Sequence, residues 1–162
     1  MTFVTLSAHD TLVLVLSIAG SYVLALPIGW ERKTRSAAYV GLRVVPLVSV
    51  SSCAYAILGH HLFTGTSSSE QSDVLQGLMT GIGFIGAGAI MKKEEHSYGL
   101  ATAAAIWATG AIGAAVAYGY YILAIGLCLV SLFILHVMPQ ITRRADTLDR
   151  SGGEPSNPHT SE

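Results

Sequence analysis

Residues 11–30, TLVLVLSIAGSYVLALPIGW, carry no charged side chain and run directly into ERKTR at 31–35. At 1.5 Å per residue, about 20 helical residues cross the ~30 Å hydrocarbon core of a bilayer, which is the length of this run. The run is continuously apolar rather than alternating, which argues against a barrel strand. Backbone polar groups in lipid must then be satisfied inside a helix. A cleaved signal peptide has its positive charges before the apolar run, whereas here they follow it. The segment therefore predicts a retained transmembrane helix with its basic end in the cytoplasm.

Working outward, the same reading repeats. Apolar stretches at 44–63, 74–91, 98–117 and 120–138 bring the predicted spans to five. All nine Lys and Arg residues fall on one side of this pattern: Arg32, Lys33, Arg35 and Arg43 around the first connection, Lys92 and Lys93 in the third, and Arg143, Arg144 and Arg150 after the last span. Short loops rich in Lys and Arg stay cytoplasmic. The expected fold is an all-α membrane protein, a bundle of five transmembrane helices with the N-terminus outside and the C-terminus cytoplasmic. Residues 1–138 form the membrane domain, and 139–162, with Gly152, Gly153, Pro155 and Pro158, read as a short disordered tail.

Composition agrees: 51% of residues are hydrophobic, 12% are charged and the net charge is −1. Nothing here favours nucleic acid, and the basic loops suit lipid headgroups. Cys53 and Cys128 lie inside spans, as small packing residues rather than a disulfide or zinc set.

Asp10, Asp73 and Ser97 stand where helix starts need capping oxygens, with capping-box spacing at Ser7/Asp10 and Asp73/Gln76. A cation site built from Asp10, Glu70 and Asp73 is the sharper alternative to capping. The 67–69 serine run reads as a flexible loop. His60 and His61 are adjacent, hence about 100° apart on a helix, and do not form an i, i+4 chelating pair; they suit interfacial packing, with external pH sensing as the alternative. Trp30, Tyr118, Tyr120 and Tyr121 read as an aromatic belt.

In span three, Gly77, Gly81 and Gly88 share one narrow arc, while Gly83 and Gly86 occupy another face. This predicts a central helix, packed backbone to backbone on a small-residue ridge of span four comprising Gly99, Ala103, Gly110, Ala114 and Ala117. The alternative is a lining for a permeation path. Pro27 and Pro46 suggest kinks at the cytoplasmic ends of spans one and two. Between them, the charges of Glu31, Arg32, Lys33, Arg35 and Arg43 either snorkel to headgroups or include an Arg43–Glu31 pair closing the hairpin.

Three blocks together resemble the MgtC/SapB family of bacterial inner-membrane proteins: Gly29-Trp30-Glu31-Arg32 with Gly41-Leu42-Arg43; Gly81-Ile82-Gly83-Phe84-Ile85-Gly86-Ala87-Gly88; and Gly99-Leu100-Ala101-Thr102-Ala103-Ala104 through Trp107-Ala108-Thr109 and Ala111-Ile112-Gly113. The resemblance covers roughly residues 12–137. It marks Glu31, Arg32, Arg43, Gly81, Gly83, Phe84, Gly86, Gly88, Gly99 and Thr102 as the family-motif positions. It implies a small polytopic protein of the cytoplasmic membrane, adaptation to low Mg²⁺, survival of pathogens in macrophages, and restraint of the proton-translocating ATP synthase in some members. Val44 and Val45 stand where the family often has Thr and His, and the short tail stands where many members continue into a folded cytoplasmic domain.

No nucleophile–base dyad, phosphate-cradling loop or intramembrane acid pair is present in the sequence, so neither catalysis nor a cofactor is expected. Two functions fit. One is a non-enzymatic regulator that contacts another membrane complex through helix faces and affects Mg²⁺ or energy homeostasis, with a homo-oligomer as a further assembly. The other is a small transporter or channel. Polar candidates for a path are Thr80, Thr102 and Thr109, whose hydroxyls can equally bond back to their own helices.

Overall fold

The structure, a computed structural model, describes residues 7–35, 40–62, 68–91 and 96–152. Helix α1 spans Ala8–Arg35, α2 Val45–Leu62, α3 Ser68–Met91, α4 His96–Ala117 and α5 Tyr121–Gly152, with a π-helical turn at Val40–Val44 leading into α2. Five of these helices contain a stretch long and apolar enough to cross a membrane: Ala8–Lys33, Gly41–Leu62, Ser72–Ile90, Gly99–Ala117 and Tyr121–Gln140. No strand occurs among the described residues.

Helix ends follow backbone chemistry. Ser7 precedes α1 and its carbonyl accepts the Thr11 N–H at 3.0 Å; Asp10 does not precede the helix but lies in its first turn, three residues after Ser7. Asp73 does not cap: α3 opens at Ser68, so Asp73 lies inside the helix, and Ser68 and Ser69 are helical rather than loop. Ser97 also falls inside its helix, since α4 begins at His96. The α4–α5 turn is a Schellman closure. Gly119, at φ 76°, donates to the Val116 carbonyl at 3.1 Å, and Tyr120 donates to that of Ala115 at 2.8 Å. Pro46 sits at the second position of α2, directly after the π-helical turn. Its missing N–H leaves an upstream carbonyl free where the wider turn absorbs the change.

Helix α4, not α3, is the centre of the bundle. The buried share of its membrane stretch is 56%, against 11% for α3 and 17% for α5. Small and apolar all the way round, α4 needs no solvent- or lipid-facing side and packs against every other helix. Its closest approach is to α2: a methyl group on Gly113 would strike the Ser49 carbonyl, and one on Gly110 would strike the tip of Ile82 from α3. α3 does lie along the small-residue ridge of α4, with Ile90 at Gly99, Gly86 at Ala103 and Ile82 at Gly110, but the predicted arc of Gly77, Gly81 and Gly88 is not the face that meets it. Around Gly77, Gly81, Gly83 and Gly88 an added Cβ meets nothing within 4 Å, and of the span-three glycines only Gly86 reaches α4, with Ala103 Cβ 3.6 Å away. Leu78 and Ile82 of α3 turn inward with Gly86, leaving the other glycines outward.

The tail is the other difference. α5 continues 14 residues beyond the expected boundary at Met138 and stays helical through Gly152. Arg143, Arg144, Ala145, Leu148 and Arg150 favour helix. The expectation of disorder for 153–162 lies outside the described residues.

Candidate functional site

The first family-motif block converges at the basic end of the bundle. Gly29 of α1 and Gly41 of the π-helical turn meet backbone to backbone: a Cβ on Gly29 would stand 2.7 Å from the Gly41 carbonyl oxygen, and one on Gly41 would overlap the backbone of Gly29, Arg32 and Lys33. Only residues lacking a side chain allow this approach. The contact fixes the three charges of the block. Arg32 is 2% exposed, Glu31 is half-buried and Arg43 is exposed.

A polar contact joins this hairpin to the last helix, with His136 Nδ1 of α5 3.5 Å from Glu31 Oε2, an ion pair only when the imidazole is protonated. The backbone carbonyl of His136 accepts from Gln140 Nε2 at 3.2 Å. Lys33 Nζ lies 5.2 Å from the centre of the exposed Trp30 ring, a cation–π contact at the bundle surface. Lys33 and Arg43 are exposed, whereas Arg32 is packed inward among helices. Glu31 Oε1 and Arg32 Nε are buried atoms that make no hydrogen bond, although both residues have other polar or electrostatic interactions.

Towards the middle of the membrane, polar groups stitch helices together. Ser49 Oγ of α2 donates to the Ser21 carbonyl of α1 at 3.1 Å, and Cys128 Sγ of α5 donates to the Leu24 carbonyl at 3.2 Å. Thr109 Oγ1 bonds back to the Ala105 and Ile106 carbonyls at 2.9 Å, and Thr80 Oγ1 to that of Gln76 at 2.9 Å, as the back-bonding reading expects. Cys53 and Cys128 are free and buried. At the opposite end, His60 makes edge contacts with His61 and with Tyr118, ring centres 6.1 and 6.2 Å apart, which is interfacial packing. Among the described residues no group of three or more His, Cys, Asp and Glu could hold a metal ion; the side chain of Glu70, invoked for a cation site, lies outside them.

The remaining motif residues separate from the hairpin. Gly99 is buried against α3, with an added Cβ 3.1 Å from Ile90 Cα, and Thr102 is 5% exposed on α4. Gly81, Gly83, Phe84 and Gly88 look away from the core, and Phe84 is 83% exposed. His136 was not singled out by sequence. Its signal was a lone ionisable group inside the apolar run 120–138, the kind of residue that membrane helices keep only with a partner.

Residues 18–144 match the family model described as MgtC family. The chain is 36% identical to "Putative magnesium transporter YhiD" of Escherichia coli (strain K12) over 122 residues, 72% of this chain and 56% of that protein. It is 38% identical to "Protein MgtC" of Brucella abortus (strain 2308) over 96 residues, 59% of this chain and 39% of that protein. With "Protein SapB" of Bacillus subtilis (strain 168) it shares 27% identity over 137 residues, 81% of this chain and 59% of that protein. The chain thus spans about half the length of the curated relatives it matches. No solved structure matches it.

Proposed function

We propose, from the premise that this chain belongs to the MgtC family, that it is a non-enzymatic protein of the bacterial cytoplasmic membrane serving adaptation to low Mg²⁺ and membrane energy homeostasis. It acts through helix contacts with another membrane complex. The proton-translocating ATP synthase is the partner the family resemblance implies, a second copy of this chain is the other assembly, and a part in virulence is the physiological extension. The N-terminus lies outside and the C-terminus in the cytoplasm, supported by the one-sided Lys and Arg distribution.

The observation that carries the reading is the open face of α3. Gly83, Phe84 and Gly88 are family-motif residues, yet none of them packs the protein's own core. Residues of a motif that do no internal packing are available to another transmembrane helix, and small residues let its backbone come close. The test is growth across a Mg²⁺ series of a deletion strain carrying an empty vector, this chain, or its Gly83→Leu variant. A defect confined to limiting Mg²⁺, rescued by the chain but not by a variant inserted at equal level, is the expected result. Normal growth of the deletion strain at every Mg²⁺ level would reject the role.

A transporter or channel is the second reading, favoured by the name of the relative "Putative magnesium transporter YhiD". Coupled cation transport usually places acids or a polar cluster near the midplane. The Ser49 and Thr109 hydroxyls described there are spent on backbone carbonyls. Specific Mg²⁺ or proton flux into liposomes holding only this protein would move the assignment to transport.

A further inference from the structure

Between α2 and α3 the membrane face is not filled. A groove of about 530 Å³ runs along the two helices, lined by Val44, Leu47 and Tyr55 on one wall and by Gly77, Gly81 and Ile85 on the other. It exists because α3 presents glycines there, whose positions have no atom within 4 Å of a would-be Cβ. Its wall on α2 extends from residue 44 to residue 55, which at 1.5 Å per residue is about 16 Å, one leaflet's share of a ~30 Å hydrocarbon core. The slot is apolar along this length, and an extended hydrocarbon chain fits in it.

The ends of the groove differ in charge. Val44 closes it at the basic end of the bundle, and the preceding residue is Arg43, exposed at the start of the span. A guanidinium at the headgroup boundary beside a leaflet-deep apolar slot is complementary to one kind of molecule, an amphiphile with an anionic head. We propose that this groove is a phospholipid site, holding one acyl chain of a lipid from the leaflet at the basic end, with its phosphate on Arg43.

The test reconstitutes the full chain in vesicles of phosphatidylethanolamine and phosphatidylglycerol, the latter bearing a photoreactive diazirine in the middle of one acyl chain, and maps the adducts after irradiation. Adducts should concentrate on Leu47, Ser51 and Ile85 over Val23 and Phe133, which lie on ordinary lipid-facing surface and are 60% and 61% exposed. Gly81→Leu, or Gly77→Leu should the first fail to fold, fills the slot and should abolish the excess while leaving the melting temperature unchanged. Arg43→Gln should reduce it. Adducts spread evenly over groove and surface, an excess untouched by both substitutions, or chain-to-chain crosslinks through the groove would each overturn the proposal.

Discussion

Gly41 faces the backbone of Gly29, Arg32 and Lys33, whereas Gly81 faces open space, although both belong to family-motif blocks. Gly41→Ala pushes a methyl into a carbonyl oxygen that cannot move without separating α1 from the π-helical turn. It should lower stability by about 1–3 kcal/mol, the usual cost of overpacking. Gly81→Ala meets no atom and should change stability by less than ~1 kcal/mol. Thermal unfolding of the two variants in detergent reads the difference, and equal melting temperatures would refute the glycine contact. At this scale the sequence was legible in type and not in use. It marked both residues as small, but smallness is the same whether a helix, a lipid or nothing lies opposite.

Between elements, the contact most informative about the site is the Glu31–His136 pair, which joins α1 to α5 across more than 100 residues of chain. His136 is 61% exposed, so the pair is screened and its coupling should be modest, below ~1 kcal/mol in a double-mutant cycle of Glu31→Gln and His136→Ala. Additive effects would show the two side chains to be mere neighbours. Helix positions were legible because apolar length is local. Helix order around the centre was not, since the choice of α4 over α3 rested on which small face found a partner. The continuation of α5 to Gly152 was missed for a related reason: polar composition argues against burial, yet it is compatible with an exposed helix held by favourable propensity.

For the whole molecule, five helices joined in sequence put the turn at Gly119 and the hairpin at Lys33 at opposite ends of the bundle. Cys53 and Cys128 are buried, so single introduced cysteines report topology over a low background. In intact cells a membrane-impermeant maleimide should label Tyr120→Cys, and should label Lys33→Cys only after permeabilisation. The reverse pattern would invert the orientation read from the charges. The sequence by itself determined the solvent, the number of spans and the expected orientation, because each follows from apolar length and the placement of Lys and Arg along the chain. Only the tertiary structure decided that α4 is the core, that Glu31 meets His136, and that the Gly77–Gly81 face opens a groove. These depend on the rotation of each helix about its axis, which packing sets against all neighbours at once and no single segment encodes.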